Sequence, residues 1–258
     1  MIVAGCDVGS LTAKVVIMKD GEMIASSVKR AGTRPKESAE RVLDAALSMA
    51  GLTRDDVDYA VGTGYGKDQI PFVNHSESEI SCHAKGAWWC MPSARMIIDI
   101  GGQDAKAIKM DDKGNIVRYI YNDKCASGTG RFLEVMAEAL GVELDDMGRL
   151  AEQSTEKLTI SNQCVIFAET EVVSLINERK KPQDIVRALH KAMANRVASL
   201  AKSIGVTEEV VMTGGVAKNS GVFDALSQGL GLEVKHLPGM DPQLNGALGA
   251  ALIAGETR

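Results

Sequence analysis

The stretch Asp-Val-Gly-Ser-Leu-Thr-Ala-Lys at residues 7–14 recurs as Asp-Ile-Gly-Gly-Gln-Asp-Ala-Lys at residues 99–106. Asp, Gly, Ala and Lys occupy the same positions in both copies. Each copy follows a short apolar run and precedes a second apolar run, a polar turn and a third run. Both copies are therefore predicted to form strand, glycine turn, strand, hairpin turn and strand. Duplication implies two similar lobes, and a ligand is expected in the cleft between them.

Segments with apolar residues at helical spacing make up the remainder of both halves. Residues 36–50 and 182–204 repeat apolar side chains at steps of three and four, which is typical of amphipathic helices. Pro182 suits a first helical turn, and Gly205 suits a helix end. Strands that alternate with helices predict an α/β fold.

The composition excludes several classes of protein. The chain has 258 residues and is 45% hydrophobic, which is enough to form a hydrophobic core. Its net charge is −5. Its Lys and Arg are spread along the chain, without the basic patch that nucleic-acid binding needs. No apolar run approaches the length of a membrane span, and the first residues lack the features of a signal peptide. We expect a cytoplasmic protein that binds neither nucleic acid nor membrane.

The two glycine turns are predicted to bind phosphate. A strand that ends in Asp and runs into glycines places a carboxylate beside backbone N–H groups, and the glycines let phosphate oxygens approach. Two opposed turns would hold the β- and γ-phosphates, with Asp7 and Asp99 binding Mg²⁺ through its water shell. A third glycine cluster at residues 210–219 suits a flat adenine or ribose, although it also fits an ordinary strand-to-helix turn.

In order along the chain, these motifs resemble the phosphate and adenosine motifs of the actin, Hsp70 and sugar-kinase superfamily. More closely, the chain resembles the ATPase activators of 2-hydroxyacyl-CoA dehydratases and the related ATPase subunits of benzoyl-CoA reductase. Leu11 departs from the pattern, because the activators usually have a hydroxyl residue there, and Ser10 and Thr12 are left for the phosphate. Besides the two phosphate motifs, the resemblance is carried by TGYG (63–66), EISCHAKGA (79–87), NDKCASGTGRFLE (122–134), QCVIFAETEV (163–172), VVMTGGVAKN (210–219) and NGALGAAL (245–252).

The resemblance implies an actin-like ATPase fold with a mixed sheet and flanking helices in each lobe and ATP or ADP with Mg²⁺ between them. The first lobe is expected at residues 1–98, completed by a C-terminal helix at 243–255, and the second at 99–242. Gln103 or Asp104 is the candidate that orients the attacking water. Lys14 and Lys106 are expected either to neutralise phosphate or to be exposed strand residues. The expected nucleotide-binding residues are Asp7, Gly9, Ser10, Thr12, Lys14, Asp99, Gly101, Gly102, Gly130, Gly214, Gly215, Lys218 and Asn219.

Two of the five cysteines stand out by their position. Cys125 and Cys164 each precede a segment with helical spacing, where the helix dipole and free N–H groups stabilise a thiolate. Spacing alone favours buried thiols, because two cysteines far apart along the chain are usually buried. Two thiolates also do not complete a metal site, since a 4Fe-4S cluster or a structural zinc needs about four ligands. The resemblance implies that a twofold homodimer shares one 4Fe-4S cluster, with both cysteines contributed by each chain. Cys6 and Cys82 are expected to be structural.

The function expected from the resemblance is ATP-driven transfer of one electron. The acceptor is an acyl-CoA dehydratase or reductase component, and a ferredoxin or flavodoxin is the implied donor. Two other classes stay open: a small-molecule kinase, for example for an N-acetylhexosamine, and a nucleotide-dependent binding switch. The chain length leaves little room for a sugar pocket, and no separate peptide-binding domain is visible.

Overall fold

The computed structural model of the protein describes residues 1–161 and 164–257. The strands in this part are β1 (Ile2–Val8), β2 (Thr12–Lys19), β3 (Glu22–Arg30), β4 (Tyr59–Thr63), β5 (His75–Ser76), β6 (Met96–Ile100), β7 (Ala105–Met110), β8 (Ile116–Asn122), β9 (Val210–Thr213) and β10 (Val234–His236). The α-helices are α1 (Pro35–Ala50), α2 (Glu79–Cys90), α3 (Gly130–Leu140), α4 (Met147–Glu152), α5 (Val165–Asn177), α6 (Pro182–Lys202), α7 (Ser220–Leu230) and α8 (Asn245–Glu256).

The chain divides into two compact units. Unit 1 comprises Met1–Ile97, Met110–Val117 and the chain from Leu237 onward, and unit 2 comprises Ile98–Lys109 and Arg118–His236. Both are built on a five-stranded sheet in the part of the chain that the structure describes. The strand order is β3-β2-β1-β4-β5 in one sheet and β10-β9-β6-β7-β8 in the other, so the repeated strands take equivalent places. The duplication predicted from the sequence is confirmed, as is the α/β class.

In unit 1, helices cover both faces of the sheet because the strands are apolar on both sides. Strands β1 and β2 pair antiparallel, and β1 pairs parallel with β4. Helix α1 places Val42, Leu43 and Ala46 in a core with residues of β1 and β2. Helix α8 packs against β1 so closely that a Cβ at Gly5 would lie 2.0 Å from the Ala247 carbonyl oxygen. The small residues of the C-terminal run therefore serve a close helix-to-strand contact inside unit 1.

In unit 2, the helices between β8 and β9 pack on one another. Helix α3 contacts α5 and α6, and α6 contacts α4 and α7. The predicted helices at 36–50 and 182–204 are confirmed as α1 and α6, with ends within two residues of the prediction. Gly205 has a φ of 78°, as its predicted place after a helix end requires. No helix among the described residues is long and apolar enough to cross a membrane.

Candidate active site

The first glycine turn joins β1 to β2 in unit 1. Asp7 and Lys14 are partners in the antiparallel ladder, and Lys14 Nζ lies 3.1 Å from Asp7 Oδ2. The turn is closed by a hydrogen bond of 3.0 Å from the Gly9 N–H to the Thr12 carbonyl. Asp7 is buried, while Gly9, Ser10 and Thr12 are half-buried. The structure thus brings all five residues predicted for this loop into one turn.

The second glycine turn repeats this geometry in unit 2. The Gly101 N–H donates to the Asp104 carbonyl at 2.9 Å, the counterpart of the bond that closes the first turn. Lys106 Nζ lies 3.6 Å from Asp99 Oδ2 and also contacts the Asp104 carboxylate. Lys106 is buried and Lys14 is half-buried, so the alternative that the two lysines are exposed strand residues is wrong. Strand pairing puts Lys14 opposite Asp7, and in both copies the lysine ammonium lies near the aspartate carboxylate.

The two candidates for orienting water differ in their surroundings. Gln103 is exposed, whereas Asp104 is buried and forms an ion pair with Lys106. A carboxylate held by a buried lysine has less freedom to orient a water molecule than an exposed amide has. The geometry therefore favours Gln103 over Asp104, and the role itself stays a prediction.

Strand β9 supplies a further contact to the second loop that the sequence did not reveal. Thr213 Oγ1 donates a hydrogen bond of 2.7 Å to Asp99 Oδ1, and both residues are buried. With Lys106 on the other oxygen, the Asp99 carboxylate is held at both ends. Thr213 lies inside the motif at residues 210–219, but a threonine at the end of an apolar run carries no specific signal for this contact.

The segment TGYG also belongs to the first loop, although it was not among the predicted site residues. The Gly66 N–H donates to the Val8 carbonyl at 2.9 Å. A Cβ at Gly64 would lie 2.5 Å from Asp7 Oδ1, so only glycine lets this segment approach the carboxylate. The Thr-Gly pair after an apolar run was the available signal.

The first turn of α3 is bonded directly to the second loop. The N–H groups of Gly130 and Arg131 donate to the carbonyls of Gly101 and Gly102 at 2.9 and 2.8 Å. Helix N-termini normally leave these donors unsatisfied, and here the loop carbonyls accept them. Gly130, predicted to bind nucleotide, therefore uses its N–H to hold the second glycine turn.

The third glycine cluster has structural roles in addition to the predicted one. Gly214 has a φ of 86°, and a Cβ there would lie 2.3 Å from the Ile100 carbonyl oxygen. Asn219 caps α7, with its Oδ1 accepting a bond of 3.1 Å from the Val222 N–H. Gly215 and Lys218 are exposed. The geometry thus explains Gly214 and Asn219 without a ligand, and their predicted contacts with nucleotide stay predictions.

The cysteines fall into two groups. Cys6 and Cys82 are fully buried; burial raises the pKa of both thiols, that of Cys82 to about 12, so neither becomes a thiolate. Cys164 is exposed and is the N-cap of α5, as predicted. Cys125 is half-buried and precedes a turn, and α3 is capped by Thr129, so Cys125 is not itself at a helix end. The cause is the sequence Ala-Ser-Gly-Thr, which forms a turn before the helix begins.

Within residues 1–161 and 164–257, no three His, Cys, Asp or Glu side chains come together as a metal site. Cys125 and Cys164 thus form at most part of a ligand set in one chain. The motif around Cys164 begins at Gln163, which lies outside the described residues.

Comparison with known proteins agrees with this geometry. Residues 4–254 match the BadF/BadG/BcrA/BcrD ATPase family. The chain is 48% identical to an activator of lactoyl-CoA dehydratase from Anaerotignum propionicum, over 99% of this chain and 98% of the relative. It is 35% identical to a benzoyl-CoA reductase subunit from Thauera aromatica, over 97% and 92% of the two chains.

Similarity in three dimensions leads to the same family. The structure of an activator of 2-hydroxyisocaproyl-CoA dehydratase from Clostridium difficile, with bound ADPNP, superposes with a TM-score of 0.95 at 44% identity. That match covers 99% of this chain and 95% of the other. The chain therefore belongs to the BadF/BadG/BcrA/BcrD ATPase family and has the actin-like ATPase fold.

Proposed function

We propose that the protein is an ATP-dependent one-electron donor that activates a 2-hydroxyacyl-CoA dehydratase. ATP with Mg²⁺ is bound through the glycine turns, and a homodimer holds one 4Fe-4S cluster through Cys125 and Cys164 of each chain. The observation that carries the proposal is the direct bonding of the second phosphate loop to α3, the helix that follows Cys125.

The donor set fits a shared iron-sulfur cluster. Cys6 and Cys82 are fully buried, and burial raises the pKa of the Cys90 thiol to about 11, which leaves Cys125 and Cys164 as the candidate ligands. Two thiols per chain are half of what a 4Fe-4S cluster takes, and a second copy related by a twofold axis supplies the other half. When bound, the cluster supplies one-electron reduction of the acceptor enzyme.

An apolar surface on α5 supports the homodimer. Helix α5 is rich in apolar residues, but among its described side chains only Ala168 and Val172 are buried. Ile166 and Phe167 are 69% and 62% exposed, directly after Cys164. Large apolar side chains in such a cluster mark an interaction surface. Continuity with Cys164 makes a second copy of this chain the proposed occupant.

The contacts inside unit 2 provide a route from nucleotide to cysteines. A change in the phosphates at Gly101 and Gly102 alters the carbonyls to which the first turn of α3 is bonded. Helix α3 packs against α5, which begins after Cys164. Movement of a helix end, which carries about half an elementary charge, changes how well it stabilises a nearby anion. Hydrolysis at the loop is thus linked to the electrostatics at the cysteines.

The two aspartates suit a Mg²⁺ ion that is bound through water. Asp7 and Asp99 are buried, and each already has a lysine near its Oδ2. A carboxylate whose charge is partly compensated is a weak direct ligand, but it still accepts hydrogen bonds from water on the ion. Lys14 and Lys106 are in place to neutralise phosphate charge.

An activator is favoured over the alternatives. Identity is higher to the lactoyl-CoA dehydratase activator than to the reductase subunit. A kinase or a binding switch needs neither Cys125 nor Cys164. The proposed donor is a ferredoxin or flavodoxin, and the proposed location is the cytoplasm, where the five thiols stay reduced.

Anaerobic purification followed by iron and sulfide analysis tests the proposal. The wild-type protein is expected to hold about four irons per dimer, and Cys125→Ser and Cys164→Ser are expected to lose them. Cys90→Ser is the matched control, because Cys90 is half-buried against Met240 and should not affect iron. Iron retained in Cys125→Ser would refute the ligand assignment, and phosphorylation of a sugar by iron-free protein would favour the kinase.

A further inference from the structure

A buried histidine in unit 1 lies outside the residues assigned above. His83 is on α2, and the Asn245 side-chain nitrogen at the start of α8 approaches it twice. Asn245 Nδ2 lies 3.2 Å from His83 Nδ1 and 3.0 Å from the His83 carbonyl oxygen. All of these groups are buried.

The backbone carbonyl of His83 determines which way the Asn245 amide faces. If the amide were flipped, its oxygen would face the carbonyl oxygen, and two acceptors would repel each other. The amide nitrogen therefore faces His83 and can donate one hydrogen to the carbonyl and the other to Nδ1. Because Nδ1 accepts, the imidazole proton is on Nε2 and the ring is neutral.

The Nε2 atom lies on the side of the imidazole that is near Asp7 of the first glycine turn. A Cβ at Gly246 would lie 3.2 Å from His83 Nε2 and 3.0 Å from Asp7 Oδ2. The imidazole and the carboxylate thus border the same small space, which is available because residue 246 is glycine. Lys14 reaches the same Asp7 oxygen from the other strand.

We propose that His83 is a positioning residue for Asp7, held by Asn245 as a neutral donor whose Nε2–H faces the carboxylate. The inference rests on the proposed assignment of the Asp7 loop to the nucleotide phosphates and Mg²⁺. Lys14 already supplies a positive charge, and a second cation would offset the charge that Asp7 offers to the metal's water shell. A neutral donor orients the carboxylate without removing that charge.

Steady-state ATP hydrolysis by matched variants tests the role. His83→Gln keeps an N–H donor near the position of Nε2, and His83→Leu removes it. We expect His83→Leu to lower kcat roughly tenfold or more with little change in KM for ATP, as for loss of a hydrogen bond to a charged group. His83→Gln should restore most of kcat. His75→Gln, at an exposed histidine of the same unit, is the control.

Three results would overturn the inference. One is a kcat for His83→Leu within twofold of wild type while Asp7→Asn is inactive; the proposed site then stands and only the role of His83 fails. If Asp7→Asn is also fully active, the site assignment fails as well. The third comes from ¹⁵N NMR of histidine-labelled wild-type protein, which reports the tautomer without catalysis: a proton on Nδ1 of His83 contradicts the proposal.

Discussion

Replacement of Lys106 by methionine should destabilise the protein strongly, because one lysine compensates two buried carboxylates. Lys106 contacts Asp104 and lies 3.6 Å from Asp99 Oδ2, with 7% of its side chain exposed. Methionine keeps the length and apolar stem of the side chain and removes only the charge. Both carboxylates then remain buried without this cation.

The expected loss in the free energy of unfolding is the cost of removing one partner of a buried ion pair, about 3–5 kcal/mol. For a chain of this size, each kcal/mol lowers the melting temperature by about 2–4 °C, so a decrease of about 10 °C is expected. Lys14→Met is the internal comparison from the other copy of the repeat. Lys14 contacts one carboxylate and its side chain is 12% exposed, so its loss should cost about 1–3 kcal/mol.

Thermal unfolding monitored by circular dichroism without nucleotide measures these effects independently of ATP binding. Adding Asp104→Asn to Lys106→Met should recover about half of the lost stability, because it removes the charge of one of the two buried carboxylates near which Lys106 lay. A melting temperature for Lys106→Met within 2 °C of wild type would refute this reasoning. So would a larger loss in Lys14→Met than in Lys106→Met.

Phe167→Glu should convert the proposed dimer to a monomer in light scattering while leaving the melting temperature of the chain nearly unchanged, since Phe167 is 62% exposed; a dimer that persists argues against the proposed α5 interface. Thr213→Val removes the hydrogen bond of 2.7 Å to Asp99 at nearly constant volume and should cost about 1–2 kcal/mol in urea unfolding; no change would mean that water replaces the hydroxyl. Asp184→Asn tests how Asp184 holds the segment after α4, where the Thr155 and Glu156 N–H groups donate to its carboxylate. These backbone hydrogen bonds, first that from Glu156, lower the pKa of the Asp184 carboxyl. Its stabilisation is present at neutral pH and is lost as pH falls through that lowered pKa, so wild type and Asp184→Asn should converge in stability at low pH; a constant difference would contradict the assignment.

Much of the fold could be predicted from local sequence signals. The repeated Asp-Gly turns between apolar runs led to the correct strands around residues 7–14 and 99–106, because alternating runs and glycine turns report short-range geometry. The helix predicted at residues 182–204, and found at Pro182–Lys202, was recognised for a similar reason, since proline and glycine mark its ends. A turn lies between Cys125 and the start of α3 at Gly130, as the glycines in the run Ala-Ser-Gly-Thr-Gly favour.

The predicted nucleotide-binding residues are confined to the glycine motifs, and their contacts with nucleotide stay predictions. Thr213 lies far along the chain from Asp99, to which it donates, and His83 lies far from Asp7, which we propose that it positions. Neither residue type in its local context signals a contact. The pairing of Lys14 with Asp7 was likewise hidden. It depends on the register of two strands, which turns both side chains toward one loop.

The sequence by itself determined the duplication, the order of the glycine turns and the family, because these are properties of residue type and spacing along the chain. Only the tertiary structure decided which groups hold the aspartates and how the second loop is bonded to α3. Those contacts join segments up to 114 residues apart, and their energies come from burial and hydrogen-bond geometry that exist only after the sheet and helices have packed.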